Sequence, residues 1–286
     1  MDTFSFTSED GTEIACFRWP ATKPWAALQI AHGMGEHALR YARFAEACVA
    51  NGIEVWANDH RGHGRSAKNK DQLGDFAPGG WDALVADMAA LAQRIHGERK
   101  NIPLVLLGHS MGSFAAQQFV LDHSDPIAAL ALSGSAAADS LPVRLEGEVD
   151  LTAINAAFEP ARTPFDWLSR DEAEVDKYIA DPLCGFGAKK DSVLSMARSL
   201  ARTIDGSALA RIRKDLPVYI FAGDRDPVNN KLAGLKPVAE RYRAAGLKDV
   251  RERYYKDGRH EMLNETNRDE VIADFLGWMK DAVRRN

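Results

Sequence analysis

Short apolar runs and amphipathic stretches alternate along this chain. Thr3 to Ser8 and Thr12 to Trp19 alternate in polarity about Asp10-Gly11, a dipeptide that favours a tight reversal, so the N-terminus predicts a β-hairpin. "AALQIAHG" (26–33), "IEVWAND" (53–59), "IPLVLLGH" (102–109), "IAALALSG" (127–134) and "LPVYIFAGD" (216–224) are compact apolar runs. Runs of this kind read as strands covered on both faces of a parallel sheet. "VRERYYKDG" (250–258) mixes apolar and charged positions and predicts a strand near the sheet edge. Between the runs lie helical patterns. In "YARFAEACVANG" (41–52) Phe44, Ala47 and Cys48 share a face and Asn51-Gly52 closes the helix. Trp81, Leu84, Val85, Met88, Leu91 and Ile95 repeat at helical spacing, and so do Val271, Phe275, Trp278 and Met279 near the C-terminus.

Repeated strand–helix–strand order predicts an α/β fold whose mostly parallel sheet has helices on both faces. The order breaks between about residues 136 and 214, where helical pieces occur without a strong buried strand. We read 136–214 as an inserted helical cap. It divides a core whose first part is 1–135 and whose second part is 215–286. Leu141, Val143, Leu145, Val149, Leu151, Ile154 and Phe158 crowd its first half, either as the cap's own core or as the wall of an apolar pocket.

Composition narrows the function. The formal net charge is −5, which disfavours nucleic acid and strongly anionic membrane surfaces as partners. Three cysteines (Cys16, Cys48 and Cys184) form no C-x-x-C pair, so a disulfide framework or zinc site is not expected and a reducing compartment is. No basic-then-apolar segment opens the chain and no run reaches the roughly 18 apolar residues of a membrane span, so the expected location is cytoplasmic.

The chemistry centres on Gly108-His109-Ser110-Met111-Gly112, at the junction of an apolar strand and a helix. A five-residue G-x-S-x-G match is weak alone, but this context is what a nucleophile elbow requires. So sharp a turn forces Ser110 into a strained backbone conformation, and Gly108 and Gly112 must be small because they pass close to other backbone. A serine that merely caps the helix would leave both glycines unexplained. A serine nucleophile needs a base, and the base needs an orienting acid. Only His123 and His260 follow Ser110. His123 falls at the far end of the helix that Ser110 begins, roughly 20 Å away at the usual rise per residue. His260, on the loop after the last strand, is therefore the expected base. "VYIFAGDRDPV" offers Asp224 and Asp226 as the acid, and Asp226, farther out on the loop before Pro227, is favoured. His32-Gly33-Met34-Gly35 ends a strand with glycines that can turn backbone N–H groups inward. The expected oxyanion hole is the N–H of Met34 with the N–H of Met111. "NDHRGHGRS" (58–66) lacks the full spacing of a dinucleotide or metal motif, and we read it as a structural loop in which Asp59, Arg61 and Ser66 bond one another.

With these residues in view, "HGMGEH", "DHRGHGRS", "GHSMGS", "GDRDPV" and "GRHE", in this order, make the chain resemble the monoacylglycerol lipase and lysophospholipase branch of the α/β-hydrolase superfamily. Ser113 stands where that branch carries a second glycine after Gly112. The resemblance implies an α/β-hydrolase fold with an eight-stranded sheet and a cap that forms an acyl pocket. It also implies a serine esterase acting on a small-molecule apolar ester, with the triad Ser110, Asp226 and His260. No metal or organic cofactor is implied, transient contact with a lipid surface is compatible with it, and the oligomeric state is left open. On the same scaffold an aminopeptidase, a C–C bond hydrolase, a perhydrolase or a non-catalytic receptor is the alternative. Glu146, Glu148 and Asp150 could hold a substrate amine in a peptidase, or form a solvated face.

Overall fold

The computed structural model describes residues 1–141 and 147–284. Val143, Leu145 and Glu146, named above, lie outside the described residues. Eight strands form one sheet: β1 (Asp2–Thr7), β2 (Glu13–Trp19), β3 (Ala26–Ala31), β4 (Ile53–Asn58), β5 (Leu104–His109), β6 (Ala129–Ser133), β7 (Val218–Gly223) and β8 (Val250–Tyr255). Their spatial order is β1-β2-β4-β3-β5-β6-β7-β8. β1 pairs antiparallel with β2, and β2 with β4, while every pairing from β4 to β8 is parallel. The hairpin turns at Gly11, whose φ of 84° suits a residue without a Cβ.

The helices are α1 (Ala42–Ala50), α2 (Gly80–Glu98), α3 (Met111–Asp122), α4 (Glu172–Ala180), α5 (Lys190–Leu200), the single turn α6 (Gly206–Leu209), α7 (Lys236–Ala244) and α8 (Arg268–Arg284). Successive side chains of a strand point to opposite faces, and β5 shows the result. Leu104 and Leu106 join the apolar cluster that includes α2, α3 and α7, whereas Val105 and Leu107 join the one that includes α1 and α8. Trp81, Leu84, Val85, Met88, Leu91 and Ile95 of α2 are all buried, as are Val271, Phe275, Trp278 and Met279 of α8. β8 is the partly exposed edge strand that its mixed sequence implied. α7 has no counterpart in the sequence reading. Its charged residues outnumber the narrow stripe of Val238, Ala239 and Tyr242 that it buries.

Between β6 and β7 the described residues hold only helical turns and α4, α5 and α6. Leu151, Phe165, Trp167, Leu168, Val175 and Tyr178 form a third apolar cluster there.

Candidate active site

β5 ends at His109 and α3 begins at Met111, so Ser110 alone turns the chain, at φ 50° and ψ −122°. That conformation costs of order 1–3 kcal/mol for a residue with a Cβ. It persists because the surroundings hold it: Ser110 N–H donates to Ser133 O at 2.9 Å, and Ser110 O accepts from Ser113 N–H at 2.8 Å. Ser113 reinforces the turn. Its hydroxyl donates to Ser110 O at 2.6 Å and shares a hydrogen bond of 2.7 Å with the Ser135 hydroxyl.

The two flanking glycines are required by space. A Cβ on Gly112 would sit 2.1 Å from Ala31 O, and one on Gly108 would sit 2.4 Å from Gly112 O. Both obstacles are backbone, which cannot swing aside. Gly112→Ala is therefore expected to destabilise the fold by about 3 kcal/mol or more. Gly97→Ala is the control: its Cβ meets nothing within 4 Å in α2, and it should gain up to about 1 kcal/mol. Urea unfolding of both variants checks the contrast.

Asp226 and His260, far apart in sequence, are brought together. His260 Nδ1 lies 3.0 Å from Asp226 Oδ2, with both side chains buried. Asp226 also accepts from Val228 N–H at 2.9 Å and from the Asn229 amide at 3.2 Å. Asp224 is used elsewhere, accepting from Asp257 N–H at 2.8 Å. His123 caps the far end of α3. Burial disfavours a charged His260 ring, but the charge and hydrogen bond of Asp226, with Glu261 and Glu36 beyond, outweigh it and raise the pKa above 6.5. His260 Nε2 is buried without a hydrogen-bond partner. The same ring lines a cavity with Ser110, and no hydrogen bond joins the two side chains in this structure.

Met34 and Met111 line that cavity as well. Met111 is the first residue of α3, so its N–H has no acceptor within the helix. The turn carrying Met34 approaches Ser110 closely, since a Cβ on Gly33 would lie 3.1 Å from Ser110 Cβ. Gly35 has a φ of 65° and faces Phe186 O, where a Cβ would come within 2.3 Å. Glu36 holds the turn, accepting from Gly33 N–H at 2.6 Å, Tyr41 OH at 2.8 Å and Arg40 at 2.6 Å. The rest of the lining is largely apolar: Phe114, Leu141, Val149, Leu151, Ile154, Leu168, Met196 and Val228, with Trp167 and Tyr178.

Several supporting residues escaped the sequence reading. Arg40 reaches Glu36 and makes a two-pronged contact with Glu261, the neighbour of His260, at 2.5 and 2.7 Å. The Trp167 ring packs tilted against the His260 ring, at 44° with centroids 4.9 Å apart, and its carbonyl accepts from His260 N–H at 3.3 Å. Gly134 leaves room for two imidazoles, because its Cβ would lie 2.9 Å from both His109 and His260. Contacts between such distant positions leave no local signal, although a glycine directly after an apolar run was a readable hint at Gly134, whose φ is 55° in the structure.

The "NDHRGHGRS" loop is built differently from the expectation. Ser66 does bond Asp59, its hydroxyl donating to the Asp59 carbonyl at 2.7 Å, but Arg61 joins neither residue. Its buried guanidinium turns to Asp87 at 2.9 Å, Asp10 at 2.7 Å and Ser8 at 3.0 Å. The Asp59 carboxylate instead accepts from Ala38 and Arg65 N–H groups at 2.8 and 2.7 Å, which leaves a guanidinium no place there. Behind the Met34 turn, His32 Nδ1 meets Gly33 O at 2.7 Å while Nε2 accepts from His60 N–H at 2.9 Å. That pattern is a neutral imidazole, in keeping with burial pushing the pKa of His32 down.

Among the described residues one group of side chains has metal-ligand character: His37, Asp181 and Cys184, with ligating atoms within 4.8 Å of one another. His37 Nε2 is already bonded to Asp181 Oδ2 at 2.9 Å, and burial raises the Cys184 thiol pKa, so the donor set suits a hydrogen-bonded pair better than a cation.

Known proteins agree with this architecture. The family described as serine aminopeptidase, S33 matches residues 22–267. A monoacylglycerol lipase of Mycolicibacterium smegmatis is 29% identical over 96% of this chain and 95% of its own length. A monoglyceride lipase of Mus musculus is 30% identical over 79% of this chain and 74% of its own length. Among solved structures, a thermostable carboxyl esterase from Bacillus coagulans in complex with glycerol superposes with a TM-score of 0.88 at 26% identity, covering 99% of this chain and 98% of that one. The chain thus belongs to the α/β-hydrolase family described as serine aminopeptidase, S33, within its monoacylglycerol lipase-like branch.

Proposed function

We propose that this protein hydrolyses carboxylic esters of apolar acyl groups, monoacylglycerol-like esters among them, through an acyl-enzyme on Ser110. The Asp226–His260 pair, opening by its unpartnered Nε2 onto the cavity that Ser110 lines, carries this reading. In the reacting complex Ser110 Oγ donates its hydrogen bond to His260 Nε2. His260 then takes the serine proton as Oγ attacks the ester carbonyl, and Asp226 holds the ring so that Nδ1 keeps its hydrogen and Nε2 is the base. The N–H groups of Met34 and Met111 receive the developing oxyanion, each worth about 3 kcal/mol in the transition state. His260 next protonates the leaving alcohol, and a water molecule, deprotonated by the same ring, releases the acid.

The substrate class follows from the lining. Leu141, Val149, Leu151 and Ile154 meet the same cavity as Ser110, which supports residues 136–214 as a cap that supplies an acyl pocket. Trp167 Nε1 and Tyr178 OH are buried in that lining without hydrogen-bond partners, and they suit the hydroxyls of a polyol alcohol. The names of the lipase relatives point the same way. An aminopeptidase needs a free carboxylate for the substrate amine. Glu36 and Glu261, the carboxylates in the lining, are both engaged by Arg40, and Glu148 and Asp150 are exposed. Three free cysteines suit the cytoplasm. No described helix is long and apolar enough to cross a membrane.

The test is a p-nitrophenyl ester series. kcat/KM is expected to rise from acetyl to octanoyl by at least about a hundredfold, since each buried methylene contributes about 0.8 kcal/mol and only part of the chain need be enclosed. A flat or falling series would remove the acyl pocket, and faster turnover of aminoacyl amides than of esters would favour the peptidase.

A further inference from the structure

A second pocket backs onto the catalytic loops. Pro227 and Arg259 line it, while their neighbours Val228 and His260 line the cavity with Ser110. Phe158 continues its wall as Ile154, one turn earlier, continues the other. Its charge is unlike that of the molecule around it. Arg170, Arg225, Lys231 and Arg259 face one carboxylate in the lining, Asp257, in a chain whose net charge is −5.

These cations are incompletely neutralised. Arg170 has Glu265 at 2.9 Å. Arg225 meets Asp257 only at 3.8 Å. Lys231 has no ion-pair partner among the described residues, and Arg259 has no carboxylate at ion-pair distance there either. Arg259 is nonetheless fixed in place. It donates to the carbonyls of Asp166 and Ser169, and its guanidinium lies 4.5 Å over the Phe158 ring. Burial lowers the pKa of that guanidinium, and Arg170 beside it adds to the effect, although Glu265 and Asp166 oppose it. A held, half-buried guanidinium whose Nη1 is spent on two carbonyls while Nε and Nη2 have no hydrogen-bond partner among the described residues, flanked by further cations, is the arrangement that receives a multiply charged oxyanion.

We propose that this pocket binds a phosphoryl group, carried by a soluble phosphomonoester or by the headgroup of an anionic lipid. The anion would bridge Arg259 to Arg225 and Lys231, joining the cap at Phe158 to the loops that carry Asp226 and His260. The site does not depend on the esterase reading, because none of its side chains takes part in the chemistry proposed above.

The experiment pairs the wild type with an R225E/K231E variant, which alters the two most accessible cations and no proposed catalytic group. Calorimetric titration with inorganic phosphate and with glycerol 3-phosphate measures the soluble arm. Flotation on phosphatidylcholine vesicles with and without phosphatidylglycerol measures the lipid arm. The wild type is expected to bind in at least one arm, and the variant to lose at least about tenfold in affinity, equivalent to 1.4 kcal/mol. Binding to phosphatidylglycerol vesicles alone assigns the lipid as the source, and titration of the soluble ligands alone assigns the phosphomonoester. The proposal is overturned if neither arm shows binding up to about 10 mM ligand, a Kd too weak for a built site. Binding that survives unchanged in the charge-reversed variant overturns it as well. Circular dichroism and ester hydrolysis matching the wild type establish that the variant is folded.

Discussion

Ser110→Ala is expected to lower kcat for a p-nitrophenyl ester by about a million-fold, with the fold intact. The size of the effect comes from removing the atom that forms the acyl-enzyme. What survives is the contribution of oxyanion donors and binding alone. The fold should tolerate the change because the turn is held by backbone hydrogen bonds, Ser110 N–H to Ser133 O and Ser113 N–H to Ser110 O, that alanine keeps. Alanine also keeps the strain of a φ near 50°. Ser110→Gly removes it, so the glycine variant should be equally inactive yet more stable than the alanine variant by about 1 kcal/mol. Thermal unfolding of the two inactive variants separates the two roles of this position. An alanine variant that retains the wild-type rate would place the nucleophile elsewhere.

Asp226→Asn carries the next largest effect, a loss of about ten-thousand-fold in kcat. An asparagine amide presented to Nδ1 favours the wrong tautomer and withdraws the charge that stabilises the imidazolium. The pH profile gives the same residue a second signature. Neutral His260 is the active base, so kcat/KM rises with pH as the ring loses its proton. Asp226 raises the His260 pKa against the effect of burial, which puts the acid limb above 6.5. In the variant the charge is gone while the burial stays, so the limb must move to lower pH. His109 cannot be the source of this limb, because burial and the nearby His260 lower its pKa to about 4. Asp224→Asn is the control and should change the rate by less than about tenfold, since that carboxylate serves a turn at Asp257 N–H.

The parts of this molecule that could be read in advance are those with local causes. Alternation in the N-terminal hairpin, the buried, mainly apolar runs at β3 to β7 and the heptad-like stripe of α2 each follow from which faces are covered. The strain at Ser110 follows from two glycines bracketing a strand–helix junction, and the order of Ser110, Asp226 and His260 along the chain reduces the candidates to a few. The Arg40 bridge between Glu36 and Glu261 spans 221 positions, and the contact of Trp167 with the His260 ring depends on how the segment between β6 and β7 folds back. Neither has a spacing that marks it. Arg61 shows a related limit. A long arginine chosen as a partner by nearness in sequence instead reaches Asp87 and Asp10, in other elements, because the local carboxylate of Asp59 is already saturated by backbone N–H groups. α7 was missed because its apolar stripe is narrow and it borrows stability from packing against the sheet rather than from its own pattern.

The most direct measurement of the central claim is covalent labelling with a fluorophosphonate, followed by peptide mass mapping. The account predicts a single adduct, on Ser110, formed rapidly by the wild type and slowed by several orders of magnitude in His260→Ala. An adduct on another residue, or labelling of Ser110 at an undiminished rate without His260, would contradict it.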